Sequence, residues 1–345
     1  MSEIRFGVVI PQGWSYDLPK AAETVDVQQH HHQQEQQQTK NQLATTEWEF
    51  SKNISKTVDH SSSGFDSIYT YDHFLPYYAP NNKNDFFECF TLLSSLAAIT
   101  SKVKLGQVVT CNTYRNPALL AKMLSTLDII SNGRIELGIG AGWYEEEYRQ
   151  YGYDFPTTVM RIEQLDEAIS IIKAMWSKQN PSFKGKYYSI KDAICNPKPL
   201  QEPYPTIMIG GSGEKYLLKV VAKHADIYNH PCGSVELLKR KISKLKEHCA
   251  AIGRNPKEIE CSILVSCLVA KDNNINYILN QRKKQVHGMQ QVREAENASL
   301  LGLPENIISG LNKYVNIGIT HFIMDFIGLS EDTIKLFDSK VIKKL

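Results

Sequence analysis

Asp72 and His73 stand side by side at the end of the apolar and aromatic run Ser67–Tyr71. A carboxyl group and an imidazole at the carboxyl end of a buried strand can together carry out acid–base chemistry. The same pair can equally be a hydrogen-bonded strand end that only packs, because His beside a carboxylate is common in folded proteins. The rest of the chain has to distinguish the two interpretations.

Three other strand ends carry small polar residues or glycine: Val108–Arg115, Gly138–Trp143 and Gly210–Gly213. The last of these is a glycine turn that opens a predicted helix, where close backbone approach and exposed N–H groups favour phosphate binding. It can also be an ordinary strand-to-helix turn. The glycines of Gly138–Trp143 either allow close packing of a strand on a helix or hold a flat ring. Two glycine-rich strand ends beside Asp72 and His73 favour a phosphate-bearing cofactor.

The elements that must position these residues alternate regularly along the chain. Short apolar runs predict about eight strands, and helical periodicity predicts a helix between most of them. Such alternation predicts parallel βαβ units that close into a (β/α)8 TIM barrel. A doubly wound open sheet is the main alternative, but no Gly-x-Gly-x-x-Gly follows the first strand. The predicted strands are 6–10, 67–71, 103–109, 134–139, 206–209, 225–229, 259–269 and 319–325, and the predicted helices include 46–59, 87–100, 116–130, 159–176, 235–251, 304–315 and 332–340.

One segment departs from this pattern. Eight of the fifteen residues from Gln28 to Gln42 are Gln, with His30–His32 among them. Because the segment has little apolar surface, we expect residues 27–45 to be a disordered, low-complexity insertion after the first strand, with part of a lid as the alternative. Nothing fixes the geometry of the three His residues, so no metal site is predicted. The following helix is expected to begin at Thr46.

Composition limits the possible partners. The chain has 345 residues, with 39 Lys and Arg against 37 Asp and Glu, so it lacks the charge bias of a protein that binds nucleic acid or an anionic membrane. No stretch approaches the roughly 18 apolar residues of a membrane span, and no signal-peptide core is present. The seven Cys residues are dispersed, which is typical of reduced thiols. We expect one domain over residues 1–345 in a cytoplasmic enzyme with a small-molecule substrate.

The motifs resemble the luciferase-like monooxygenase superfamily, and more closely its deazaflavin (coenzyme F420)-dependent oxidoreductases. The resemblance spans about Ile4 to Asn229 apart from the insertion, and it implies a luciferase-like (β/α)8 barrel with an isoalloxazine-like ring in its C-terminal mouth. The stretches that carry it are Tyr71–Phe74, Thr113–Lys122, Ser131–Trp143, Asp192–Pro199, Ile207–Lys215 and His224–Asp226.

The resemblance also implies roles for individual residues. Asp72 and His73 would lie at the ring, with His73 nearest the reacting carbon as the catalytic proton donor or charge stabiliser. A backbone bulge at Val108 and Val109, often with a non-proline cis peptide, would support the ring face. Tyr77 and Trp143 would shape the substrate side. The other residues expected to bind cofactor are Thr110, Cys111, Gly140, Gly142 and, around the phosphate, Gly210, Gly211, Ser212 and Gly213.

Two departures leave the substrate open. The sugar-phosphate dehydrogenase branch has Trp in place of Tyr77 and a catalytic Glu in place of Trp143, so that substrate is not carried over. We expect hydride transfer between F420 and an unidentified organic substrate. One alternative is an FMN-dependent monooxygenase supplied by a separate flavin reductase, and another is a non-catalytic flavin-binding barrel. A homodimer is the expectation for the family.

Overall fold

Eight parallel strands follow one another around a closed barrel in the described part of the chain, from β1 through to β8, which pairs with β1 in the register Arg5↔His321. The computed structural model describes residues 3–13, 32–60, 62–76, 85–271 and 300–345, and within α1 it describes side chains from Thr45 onward. The predicted (β/α)8 barrel is confirmed. Its strands are β1 (Arg5–Val9), β2 (Ser67–Thr70), β3 (Lys104–Gln107), β4 (Ile135–Gly140), β5 (Thr206–Gly210), β6 (Ile227–Pro231), β7 (Glu260–Val269) and β8 (His321–Phe326).

Helices surround this barrel. They are α1 (His32–Val58), α2 (Cys89–Ile99), α3 (Pro117–Ile130), α4 (Glu145–Tyr151), α5 (Thr158–Ser177), α6 (Leu217–His224), α7 (Val235–Ala251), α8 (Pro304–Val315) and α9 (Glu331–Lys340). Local sequence explains several of their limits. Asn116 caps α3 through its side chain and Pro117 occupies its first turn, while Ser234 caps α7 in the same way. None of the described helices combines the length and the apolar character that crossing a bilayer requires.

Alternation of side chains divides the core into two parts. Every residue of β4 and of β8 is buried, because one face of each strand meets the helices and the other lines the barrel. Tyr69, Met208, Ile227 and Ile323 pack together as an inner cluster, whereas a larger cluster fills the space between strands and helices. Beyond the inner cluster, the C-terminal ends of the strands form the floor of an opening, which is called the mouth below.

The structure departs from the predictions at four places. α1 begins at His32 and not at Thr46, since Gln is a good helix former and can extend a helix that is anchored by packing farther along. The disorder expected for residues 27–45 stays a prediction, and residues 27–31 lie outside the described residues. The predicted strand 103–109 ends at Gln107. α4 was expected only as an acidic helix start after Trp143, with no end assigned, and α6 begins at Leu217, so a turn separates it from the glycines.

Candidate active site

Asp72 joins three segments at the C-terminal mouth. Its buried carboxylate accepts two hydrogen bonds from the Arg115 guanidinium, at 2.7 and 2.9 Å, and a third from the Cys111 N–H at 2.9 Å. Arg115 also donates to Glu88, the N-cap of α2, at 2.8 Å. Burial raises the pKa of Asp72, while Arg115 and the Cys111 N–H act in the opposite direction. This geometry anchors the loop after β2 to the segment after β3.

His73 is held by a carboxylate that the sequence reading did not identify. Its Nδ1 lies 2.8 Å from Oε2 of Glu147, whose side chain is fully buried in α4. Glu147 also accepts from the Tyr114 hydroxyl at 2.8 Å and from the N–H groups of Phe74 and Leu75 at 2.6 and 3.0 Å. Burial acts to raise the pKa of Glu147, but the bonds from His73, Leu75 and Tyr114 outweigh it and hold that pKa below its ordinary value.

Aromatic rings form the wall beside His73. Trp143 is 57% exposed, stacks on Tyr144 at 5.2 Å between centroids, and presents its ring edge-on to His73 at 5.9 Å. Phe74 packs between Tyr114 and Tyr151 at 4.6 and 4.2 Å. Trp143 is thus exposed beside His73, and its role on the substrate side stays a prediction. Tyr77, the other residue expected there, lies outside the described residues.

The bulge expected after β3 is present. The Val108–Val109 peptide bond is cis, as the resemblance implies, and the chain resumes pairing with β4 only at Thr110–Cys111. Val109 packs on two predicted glycines, since a Cβ at Gly140 or Gly210 would lie 2.8 or 2.7 Å from its methyl groups. Thr110 is buried.

Glycines 138 and 142 are explained by packing within the protein. A Cβ on Gly138 would lie 1.7 Å from the Gln107 carbonyl oxygen. Gly142 has φ of +77°, and a Cβ there would lie 2.1 Å from the Tyr148 hydroxyl and 2.5 Å from the Cys111 sulfur. Burial raises the pKa of the Cys111 thiol to about 11. The glycines thus allow the bulge and α4 to approach β4 closely.

The turn Gly210–Gly213 was expected to hold the cofactor phosphate. Ser212 and Gly213 are exposed, and the glycine at 213 is not demanded by packing, because a Cβ there would meet Leu217 at an ordinary 3.4 Å. Lys241 of α7 donates to the Ser212 carbonyl at 2.7 Å. At the end of the neighbouring β6, His230 is 2% exposed and neither ring nitrogen has a hydrogen-bond partner. Lys241 also pairs with Glu214 at 2.8 Å, so its charge is already balanced, and the exposed glycine backbone is the feature that fits a phosphate group.

Between these groups lies the floor of the mouth. Tyr71, at the end of β2, donates its hydroxyl to Asp325 of β8 at 3.1 Å. The ring centroid of Tyr71 also lies 6.4 Å from that of His73. The polar floor therefore reaches from β2 to β8.

The structure brings most of the predicted residues to one mouth but shows that the prediction missed their partners. Arg115, Glu147 and Asp325 were not assigned roles, although Arg115 belonged to a matched motif and Asp325 to a predicted strand. Glu147 was hidden in an acidic helix start, where Glu is expected for capping alone. No group of His, Cys, Asp and Glu that could hold a metal ion occurs within the described ranges.

Comparison with known proteins identifies the family. The model of the luciferase-like monooxygenase family matches residues 27–276. The chain belongs to this family. Luciferase-like relatives include an FMNH(2)-dependent dimethylsulfone monooxygenase of Pseudomonas putida, which is 30% identical over 61% of this chain and 57% of its own length. They also include an F420-dependent glucose-6-phosphate dehydrogenase of Amycolatopsis mediterranei (strain U-32), which is 26% identical over 85% of this chain and 93% of its own length.

Solved structures support the same fold. An F420-dependent secondary alcohol dehydrogenase in complex with an F420–acetone adduct superposes with a TM-score of 0.76 at 19% identity, covering 98% of both chains. The family match and the curated relatives together make the protein a luciferase-like oxidoreductase. Because relatives of both cofactor classes occur, F420 and FMN are both consistent with the comparisons.

Proposed function

We propose that this protein is an F420-dependent oxidoreductase in which a hydride passes between the deazaflavin and a small organic substrate. The observation that carries the proposal is His73, fixed by buried Glu147 at the C-terminal mouth beside the aromatic wall. When bound, the deazaflavin supplies the hydride acceptor or donor.

Each part of the mouth then has a separate task. The Gly210–Gly213 backbone would hold the cofactor phosphate, and Val109 would support one face of the ring. His73 would donate a proton to the substrate atom on which negative charge develops, or take it back in the reverse direction. Trp143 would form the substrate side and exclude water. A cytoplasmic location and a homodimer belong to the same proposal.

The replacement His73→Ala tests this assignment. We expect kcat to fall about 10²- to 10⁴-fold, the usual contribution of a general acid, while the Kd for F420 changes little. Turnover is followed by F420 absorbance on a panel of alcohols, aldehydes and ketones. The matched control is His224→Ala, because His224 also pairs with a carboxylate, Asp166, but lies on α6 away from the mouth. Unchanged turnover in His73→Ala would remove His73 from the chemistry.

The alternative is an FMN-dependent monooxygenase that receives reduced flavin from a partner reductase. It is favoured by the 30% identity to the dimethylsulfone monooxygenase. Titration of the purified protein with F420 and, separately, with FMN distinguishes the two, since the preferred cofactor should bind at least about tenfold more tightly, or by about 1.4 kcal/mol. Tight binding of either cofactor without any turnover across the panel would favour a non-catalytic flavin-binding protein.

A further inference from the structure

Glu147 is saturated with donors. Oε1 accepts the N–H groups of Phe74 and Leu75, and Oε2 accepts the Tyr114 hydroxyl and faces Nδ1 of His73. A carboxylate with two donors on each oxygen has no room for a proton of its own, which agrees with its lowered pKa. Two of the four donors cannot exchange roles, because they are backbone amides, and the ionised carboxylate accepts from the Tyr114 hydroxyl as well.

This arrangement determines the state of the imidazole. Since Oε2 can only accept, the 2.8 Å contact requires a hydrogen on Nδ1 of His73. A neutral imidazole carries one hydrogen, so its lone pair then lies on Nε2. The two N–H bonds from Phe74 and Leu75 also tie α4 to the loop that carries His73, so Glu147 stays opposite Nδ1, and turning the ring would break the 2.8 Å contact.

We propose that Glu147 is the positioning residue of the reaction: it fixes His73 with Nδ1 as the permanent donor, so that Nε2 holds and releases the exchangeable proton. The inference rests on the proposed function. As charge develops on the substrate atom, the Nε2–H bond of imidazolium breaks, its electron pair stays on Nε2, and the proton joins the substrate. The product is neutral imidazole, still bonded through Nδ1–H to Glu147. In the opposite direction Nε2 takes the proton back.

Glu147→Gln separates positioning from packing. The amide keeps the size of the side chain but brings an NH₂ donor, which can face Nδ1 and move the imidazole hydrogen to Nε2. A wrongly placed imidazole hydrogen is severely damaging in other enzymes that use a carboxylate–His pair. We therefore expect kcat to fall about 10²-fold or more, with the Kd for F420 within about threefold of the wild type. Glu147→Asp retains the charge and should recover part of the rate.

The deciding measurement is the ¹⁵N NMR spectrum of the His73 ring, taken without cofactor at about pH 8, where most imidazoles are neutral. The wild type should show hydrogen on Nδ1, and Glu147→Gln should show it on Nε2. The control is Glu167→Gln, because Glu167 likewise accepts the backbone N–H groups of a loop, at Lys186, Tyr187 and Tyr188. It should change neither spectrum nor kcat.

Two outcomes would overturn the inference. If Glu147→Gln leaves the His73 spectrum unchanged, Glu147 only braces the loop. If the hydrogen moves to Nε2 but kcat does not fall, His73 does not transfer the proton through Nε2. Because the spectrum is measured without cofactor, it is independent of whether F420 or FMN binds. A failure of the proposed function appears instead in the cofactor titration and in the turnover of His73→Ala.

Discussion

The two ends of the barrel both bury carboxylates, but they satisfy them differently. At the N-terminal end, Glu136 is fully buried and accepts from Arg5 at 2.9 Å, from Lys104 at 3.0 Å and from the Tyr69 hydroxyl at 2.5 Å. Arg5 also donates to Glu260 at 2.7 Å. Burial opposes ionisation of Glu136, yet Arg5 and Lys104 lower its pKa to about 2. All these groups lie on strands, and the two positive side chains balance the two carboxylates within the barrel end.

At the C-terminal end, loops take the place of strands. Asp72 and Glu147 accept backbone N–H groups from Cys111 and from Phe74 and Leu75 in addition to their side-chain partners. Each carboxylate therefore fixes a loop, and Glu147 also fixes a ring that faces the mouth. The difference teaches that one end uses buried charge to close the barrel and the other uses it to orient reactive groups. Changes at the first end should lower stability, and changes at the second should lower activity.

The largest effect on stability is expected for Glu136→Ala. It leaves Arg5 and Lys104 without their shared partner, so the free energy of unfolding should fall by about 3–5 kcal/mol. Urea denaturation measures the loss, and the folded fraction should bind F420 as the wild type does. Glu260→Ala is the control, since Glu260 is 24% exposed and its loss should cost about 1 kcal/mol or less. An equal loss of unfolding free energy in both variants would show that the buried Glu136 stabilises this end no more than the partly exposed Glu260 does.

A pH dependence should follow from the same end. His321 is fully buried, and burial, with Arg5 nearby, lowers its pKa to about 3. The unfolded chain takes up this proton near pH 6.5 and the folded protein does not, so stability falls as the pH drops from about 6.5 to about 3. The slope is at most about 1.4 kcal/mol per pH unit. The pH dependence of the urea midpoint across this window should become flatter in His321→Gln. An unchanged slope would show that other groups cause the pH dependence.

A smaller effect is expected at the bulge. The Cβ of Gly210→Ala would lie 2.7 Å from a methyl group of Val109, so overpacking should cost about 1–3 kcal/mol. Val109→Ala removes that methyl group, and the double variant should be more stable than the sum of the two single changes predicts. A double-mutant cycle of urea midpoints gives the coupling. Strict additivity would show that Val109 and Gly210 do not press on each other.

Much of the fold could be predicted because local signals and global packing agree. The bounds predicted for α7 and α8 match the structure, since Ser234 caps α7 and Pro304 occupies the first turn of α8. The start of α1 was wrong, since low hydrophobicity does not prevent Gln from extending a helix. The Gly-rich strand ends were located correctly, but the close contacts that require glycine at 138 and 142 depend on residues distant in sequence.

Only the part of the site that is formed by neighbours in sequence could be predicted. Adjacent residues such as Asp72 and His73 can be recognised as a pair from sequence alone. Glu147 lies 74 positions from His73, and one acidic residue among three in a helix start carries no mark of its buried role. Arg115 was visible in a motif, yet its two-fold contact with Asp72 depends on the bulge after β3. Pairs formed across loops therefore required the structure.

The packing around β4 also has a use in laboratory evolution. A library randomised across residues 138–144 would lose most of its members at Gly138 and Gly142, where any side chain collides with the Gln107 carbonyl or the Tyr148 hydroxyl. Trp143, which directly follows Gly142, is 57% exposed and meets no such collision. A search for new substrate ranges can thus fix the two glycines and concentrate its diversity on Trp143 and Tyr144, which gives a small library with a high folded fraction.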